Sequence, residues 1–152
     1  MEAAFFTGHR DFNQSVPINS LIAMASLQEV QNFYVGMALG TDLLAAKLLG
    51  DLQLNWTAVI PFEGHTKRWK TAQRNAYQEI IQTAQSQVTI ASKFSYGAYH
   101  QRNDYMMKQA QLCLAIYDGR ETGGTATVIK KAIKRSLSVI IFNPQNSQFT
   151  FH

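Results

Sequence analysis

The sequence predicts an α/β fold in which a mostly parallel sheet of about six strands is flanked by helices. Three observations predict it. Short continuous apolar runs at residues 3–7, 56–61, 112–117 and 137–142 have the length and character of strands buried on both faces. Segments with apolar residues at helical spacing separate them, and no hairpin signal joins one strand to the next. The unusual residues cluster just after the strands, at Gly8-His9-Arg10, Gly40-Thr41-Asp42, Pro61-Phe62-Glu63 and from Asp118 to Thr127. Right-handed crossovers between parallel strands give an open, doubly wound, Rossmann-like sheet, and such sheets bind ligands beyond the carboxyl ends of their strands.

The elements follow in order. Residues 3–7 are a buried first strand closed by Gly8, and Gly8-His9-Arg10 is its turn. Pro17 stands at a favourable first position of a helix over 17–30, with Leu21, Ile22, Ala25 and Val30 near helical spacing. Residues 32–37 form the second strand, and Thr41 or Asp42 caps a helix that reaches about Leu52. Residues 56–61 are the third strand and 61–65 a loop. A polar helix over 67–84 carries one stripe of Trp69, Ala72, Ala76, Tyr77, Ile80 and Ile81. Residues 87–91 are the fourth strand, 92–97 a loop, and 98–109 a helix with Tyr99, Arg102, Asn103, Tyr105 and Met106. The fifth strand, 112–117, runs into a glycine-rich turn. A helix over 127–135 and a sixth strand over 137–142 follow, stopped by Asn143-Pro144; the tail, 145–152, is a candidate edge strand. The 152 residues suit a single domain, 1–152, without linker or repeat.

Composition narrows the function. A hydrophobic content of 46% against 16% charged residues is that of a globular chain. The net charge of +4 suits an anionic ligand, and Lys130, Lys131, Lys134 and Arg135 form a basic cluster that reads as solvated helix surface or as a nucleic-acid contact. The single cysteine, Cys113, lies in an apolar run and reads as a core thiol. Neither a signal peptide nor a membrane-length apolar run is present, so a cytoplasmic location and no membrane partner are expected.

Several groups can carry chemistry. Gly8 permits a tight turn, Arg10 can pair with phosphate, and His9 can donate a hydrogen bond or act as a base, although a polar turn after a strand needs none of these roles. Gly40 can approach a ligand and Asp42 can accept from ribose hydroxyls; helix capping is the competing role. Around the loop after the third strand, Trp69 can stack on a base and Lys67 or Arg68 can reach phosphate, unless Trp69 belongs to the core. His9 and His65 lack a metal-ligand pattern, and no cofactor is expected. Arg102 and Asn103 can hold phosphate or a base edge, or form a solvated helix face. Gly123-Gly124-Thr125-Ala126-Thr127 is the most informative pattern. Glycines ahead of a helix let backbone N–H groups meet an anion, with the Thr125 and Thr127 hydroxyls as further donors. It matches neither Gly-x-Gly-x-x-Gly nor Gly-x-x-x-x-Gly-Lys-Ser/Thr, which disfavours a dehydrogenase and a P-loop NTPase.

Taken together, Thr7-Gly8-His9-Arg10, Gly40-Thr41-Asp42 with Ala45-Ala46, Ile60-Pro61-Phe62, Arg102-Asn103 with Met106, and the run from Leu114 to Gly119 leading into Gly123-Gly124-Thr125 resemble the SLOG superfamily of Smf/DprA and LOG-like Rossmannoid domains, most closely its YpsA-like branch. The resemblance spans nearly the whole chain. It implies a Rossmann-like domain that binds nucleotides or nucleotide-derived, ADP-ribose-like molecules, with phosphate at the glycine-threonine turn. The LOG-type phosphoribohydrolases look like Gly-Gly-x-Gly-Thr-x-Glu-Glu at this turn. Here Ala126 replaces the later glycine, and Ile129 and Lys130 occupy the glutamate positions. The expected function is therefore ligand binding, as a sensor or sponge of a nucleotide second messenger in antiviral signalling. Gly8, Arg10, Gly123, Gly124, Thr125 and Thr127 would meet phosphate, Asp42 and Asp118 ribose, and Trp69, Tyr99 and Arg102 the base. The alternatives are a nucleotide N-glycosidase using His9, Asp42 or Glu63, and DprA-like nucleic-acid binding. The aromatics Phe94, Tyr96 and Tyr99 suggest a homodimer or higher homo-oligomer.

Overall fold

The computed structural model describes every residue, Met1–His152. In chain order its elements are β1 (Ala3–Gly8), α1 (Ser15–Leu27), β2 (Asn32–Val35), α2 (Thr41–Asp51), β3 (Trp56–Phe62), α3 (Thr71–Ile81), β4 (Ser86–Ala91), α4 (Tyr96–Gln109), β5 (Leu112–Ile116), α5 (Gly124–Lys134), β6 (Ser138–Asn143) and β7 (Gln148–Phe151). The sheet has seven strands in the order β4-β3-β2-β1-β5-β6-β7. All neighbours pair in parallel except β6 and β7.

The alternation of side chains along each strand divides the core between the two faces. On one face Ala4, Phe6, Phe33, Trp56 and Leu114 pack with Leu21 and Ile22 of α1, Ala45, Ala46 and Leu49 of α2, and Tyr77 and Ile81 of α3. On the other, Ala3, Phe5, Val59, Cys113 and Val139 pack with Met106 and Met107 of α4 and Val128, Ile129 and Ala132 of α5. Sealing each large side chain such as Phe5 or Trp56 from water contributes about 2 kcal/mol. The central strands β1 and β5 are covered on both sides, which is why they read as unbroken apolar runs.

From β1 the chain builds outward through β2, β3 and β4, then crosses back under α4 to lay β5 on the free side of β1. Strand order therefore reverses between β1 and β5, and their carboxyl ends splay apart into a crevice. No helix is long and apolar enough to cross a membrane.

Several boundaries differ from the sequence expectation. The sheet has seven strands because the tail forms β7, antiparallel to β6. The connecting hairpin has no Asn-Gly signal. Instead the Asn143 Oδ1 accepts from the Gln145 N–H at 2.9 Å, the Asn146 Oδ1 accepts from the Gln148 N–H at 2.9 Å, and Ser147 takes φ +57°. Pro17 is the third residue of α1, still within the first turn, where its missing N–H costs no helical bond. Pro61 and Phe62 end β3 and do not open the loop. Helix α3 is shorter than its apolar stripe: it starts where the Lys70 N–H meets Gln73 Oε1 at 2.9 Å, Trp69 precedes it, and Ala72 and Ala76 are exposed. Neither Thr41 nor Asp42 caps α2; Gly40 does, at φ +77°. Helix α5 starts at Gly124, so the second glycine of the turn is already helical.

Candidate functional site

The crevice between β1 and β5 holds a cleft of about 520 Å³, within the range of small-ligand sites. Its walls come from the turn after β1, the turn after β5 with the start of α5, the β2–α2 loop, and one face of α4.

The turn after β1 is shaped by close backbone approach. A Cβ on Gly8 would lie 2.4 Å from the Thr41 hydroxyl, and one on Gly40 would lie 2.1 Å from the Arg10 carbonyl oxygen. Both glycines therefore lock the β1 turn against the start of α2. The lock is completed by the Thr41 hydroxyl and N–H, which donate to the His9 carbonyl at 2.9 Å and 3.2 Å. Thr7, Gly8, His9 and Arg10 line the cleft; Gly40 stands behind Arg10 and does not.

His9 joins the two strand ends. Its Nε2 accepts the Asp118 N–H at 3.0 Å. A backbone N–H can only donate, so the ring is neutral with its proton on Nδ1, and the Asp118 Oδ1 lying 3.2 Å from the same nitrogen becomes an ion-pair partner only on protonation. Burial holds the His9 pKa below its ordinary value, against the pull of Asp118. Asp118 in turn receives Arg120: Nη2 donates to Oδ2 at 2.6 Å and Nε to Oδ1 at 3.0 Å, with the Arg120 N–H on Oδ1 at 3.1 Å. Hydrogen bonding from Arg120 holds the Asp118 carboxyl well below the usual carboxylate range. Asp118 thus stands behind His9 and Arg120, and Arg120 is the member of this trio that lines the cleft beside His9.

On the opposite wall, Tyr99, Arg102, Asn103 and Met106 follow the i, i+3, i+4, i+7 spacing of one helix face, and all four line the cleft. Arg102 is not on a solvated surface. It is only 8% exposed, its Nη1 donates to the Gly36 carbonyl at 2.8 Å and its Nε to Asn103 Oδ1 at 3.1 Å, and its guanidinium carbon lies 5.6 Å from the Tyr99 ring centre. Nη2 has no acceptor in the chain, and no carboxylate forms an ion pair with Arg102 or Arg10. Burial lowers the Arg102 pKa, countered by the field of Asp42. Asp42 is buried beside it and its Oδ2 accepts the Ala38 N–H at 3.1 Å; desolvation raises its pKa, with Arg102 opposing.

Between these two side chains sits Gly36. A Cβ there would lie 3.0 Å from the Arg102 Nε and 3.2 Å from the Asp42 Oδ2. The β2–α2 loop is held in a specific shape, with the buried Met37 at φ +62° and its carbonyl accepting from the His65 Nε2 at 3.0 Å.

The glycine-threonine turn supplies the third wall. Gly123 (φ +108°) and Gly124 open α5, and Gly123, Gly124 and Thr125 line the cleft. The first helical bond runs from the Thr127 N–H to the Gly123 carbonyl at 3.1 Å, so the N–H groups ahead of it have no helical acceptor, and no side chain caps them. The Thr127 hydroxyl donates to the same carbonyl at 3.0 Å and so turns away from the cleft; Thr122 lines it instead. At the positions of the LOG-type glutamates, Ile129 is buried core, and the Lys130 ammonium donates to the Glu121 carbonyl at 3.0 Å.

Besides Gly40, Asp118 and Thr127, which stand behind the lining, four more predicted site residues lie elsewhere. Pro61 and Phe62 end β3 outside the cleft, where Phe62 packs on Phe94 and Tyr99. Glu63 is exposed beyond them. Trp69 packs edge-to-face on His65 and Tyr77, with centroids at 5.4 Å and 5.8 Å, against the core. The sequence reading missed Gly36, His100, Arg120 and Thr122. His100 carries a helical-spacing signal, three positions before Asn103 on α4; Gly36 carries none beyond following a strand. No group of three or more His, Cys, Asp or Glu side chains is arranged to hold a metal ion.

Comparison with known proteins agrees with this architecture. The solved DNA processing protein A (DprA) from Streptococcus pneumoniae superposes with a TM-score of 0.68 over 92% of this chain and 50% of that one, at 13% identity, a likeness of fold. UPF0398 proteins of Staphylococcus aureus strains JH9 and JH1 are 28% identical over 87 residues, covering 53% of this chain and 46% of theirs. The chain thus spans about half the length of the curated relatives it matches. The model of the YspA SLOG family matches residues 17–143, from α1 to the end of β6. That match covers both walls of the crevice except the β1 turn, and the chain therefore belongs to the YpsA (YspA SLOG) family.

Proposed function

We propose that this domain binds a phosphate-bearing nucleotide or nucleotide-derived, ADP-ribose-like molecule, with a phosphate held between the start of α5 and Arg102. The observation that carries this reading is Arg102 itself. A buried arginine is costly unless its charge is balanced; the nearby Asp42 opposes this one only through its field, without a salt bridge, and its Nη2 keeps no acceptor in the chain, on the wall of a cleft whose other side is an uncapped helix N-terminus. Both features favour an anion, and a phosphate accepts from both. Arg10 adds a third donor at the rim. Family membership and the fold shared with DprA support a nucleotide-related ligand over a simple anion.

The test is a thermal-shift and calorimetric panel of inorganic phosphate, ribose 5-phosphate, AMP, ADP and ADP-ribose. A ligand at a hundred times its dissociation constant should raise stability by about 2.7 kcal/mol. No stabilisation by any of them removes the reading. Recovery of unchanged ligand by mass spectrometry would mark a sensor or sponge.

A second reading, N-glycosidic hydrolysis, draws on one observation: Asp42 is a buried carboxylate of raised pKa on the cleft wall, a suitable acid–base group. Free base released from AMP and abolished by Asp42→Asn would establish it. The basic cluster gives nucleic-acid binding less support. Lys131 and Arg135 lie 3.8 Å and 3.3 Å from Asp104, and Lys130 is engaged by Glu121.

A further inference from the structure

Beside the cleft lies a second feature that phosphate binding leaves unused. Phe94 is 55% exposed and Tyr96 is 80% exposed, two large rings left in water at the carboxyl edge of the sheet. They are not loosely placed. Phe94 meets Phe62 edge-to-face at 5.4 Å and Tyr99 at 6.5 Å, and Phe62 meets Tyr99 at 5.7 Å. Ser95 caps α4, its hydroxyl accepting the Ala98 N–H at 3.2 Å, and this pins the residues on either side of it. The two exposed rings stand 5.2 Å apart at 73° to one another and form an open aromatic corner.

The corner adjoins the cleft through Tyr99, which lines it, while Phe94 and Tyr96 stand just outside. Tyr96, Tyr99, His100 and Asn103 follow the i, i+3, i+4, i+7 spacing of α4 and share one face, and the last three line the cleft. Tyr96 is the next turn of that same face. Tyr99 links the two regions, with Arg102 over its ring and Phe94 and Phe62 edge-to-face against it.

We infer that this corner is the base subsite of the ligand whose phosphate occupies the cleft: an aromatic nucleobase stacks face-on against Phe94 and meets the Tyr96 ring edge-on. The inference rests on the nucleotide reading above. A preorganised pair of rings binds a planar base with little loss of conformational freedom, and stacking is tolerant of base identity because every base presents a π-face. The occupant follows from continuity with the phosphate donors along α4, and Trp69 is unavailable for this role because the core holds it.

The experiment compares AMP, ribose 5-phosphate and adenosine by calorimetry, and follows the Phe94, Tyr96 and Tyr99 ring resonances by NMR. AMP should bind about tenfold more tightly than ribose 5-phosphate. Phe94→Ala should reduce AMP affinity about tenfold and leave ribose 5-phosphate unchanged. Adenosine at millimolar concentration should shift the ring resonances even if ribose 5-phosphate does not bind, in which case the phosphate reading fails and the base subsite stands. Equal affinities for AMP and ribose 5-phosphate, with unmoved rings, overturn the inference while leaving phosphate binding intact. It is overturned equally if Phe94→Ala leaves AMP affinity unchanged and dissociates a dimer in sedimentation velocity, which would make the corner an interface between copies. Phe94→Leu serves as the variant that retains apolar packing on Phe62 if Phe94→Ala unfolds the chain; it removes the stacking face and should weaken AMP selectively.

Discussion

Substituting Arg102 by glutamine tests the centre of the site. The glutamine side chain keeps a donor but loses the charge, and it is too short to keep both the 2.8 Å bond to the Gly36 carbonyl and a donor in the cleft. A hydrogen bond from a charged donor is worth about 1.5–3 kcal/mol, so removing it from a bound phosphate weakens affinity about 10- to 150-fold. The effect on the ligand-free protein is smaller and two-sided. Leaving the Gly36 carbonyl without its partner costs about 1–3 kcal/mol. Removing the buried cation relieves its own desolvation but leaves the buried Asp42 carboxyl without the opposing field of Arg102. Arg102→Gln should therefore bind phosphate ligands weakly and, without ligand, melt below the parent while remaining folded. Arg102→Lys restores charge without the planar fork and should recover only part of the affinity. The assay is isothermal titration with ADP alongside thermal unfolding without ligand and a circular dichroism spectrum. Parental affinity in Arg102→Gln would refute the reasoning, because it would mean that the free Nη2 meets no ligand.

Three further outcomes follow from the same geometry. Gly36→Ala places a methyl 3.0 Å from the Arg102 Nε and 3.2 Å from Asp42 Oδ2, and should cost about 1–3 kcal/mol of stability in urea titration and weaken phosphate binding by displacing Arg102. Gly40→Ala meets both a φ of +77° and a backbone oxygen at 2.1 Å, so it should destabilise by more than about 2 kcal/mol, the larger loss of the two in the same titration. Burial lowers the pKa of His9 and His65 from 6.5, so the unfolded chain takes up protons first as pH falls. Their contribution to stability is complete above pH 6.5 and is lost as pH falls through the folded pKa values; denaturation midpoints measured from pH 7.5 to 5 should decline, and His65→Gln should flatten part of that slope.

The sequence made much of the fold legible because the signals are local. Apolar runs at 3–7, 56–61 and 112–117 became β1, β3 and β5, and the glycine turn became the N-terminus of α5. The site was legible to the extent that its parts follow strands. Trp69 shows the limit. Its spacing fits a core stripe and a base contact equally well, and only the positions of His65 and Tyr77 assign it to the core. Arg102 shows another limit: on a polar helix it reads equally as a ligand contact or as solvated, and only the Gly36 carbonyl, 66 positions away, shows that it is buried. Ile129 and Lys130 needed no structure, since an absent carboxylate is absent in any fold.

By itself the sequence determined the parallel sheet, the glycine-rich start of α5 and the helix that carries Tyr99, Arg102 and Asn103, because hydrophobic period and glycine placement act within a few residues. The tertiary structure decided which of these meet. Placing β5 beside β1 brings the Asp118 N–H to the His9 ring across 109 positions and sets a buried Arg102 with a free Nη2 opposite the helix N-terminus. Burial and pairing of a charge depend on neighbours distant in the chain, and local sequence does not encode which strand lies next to which.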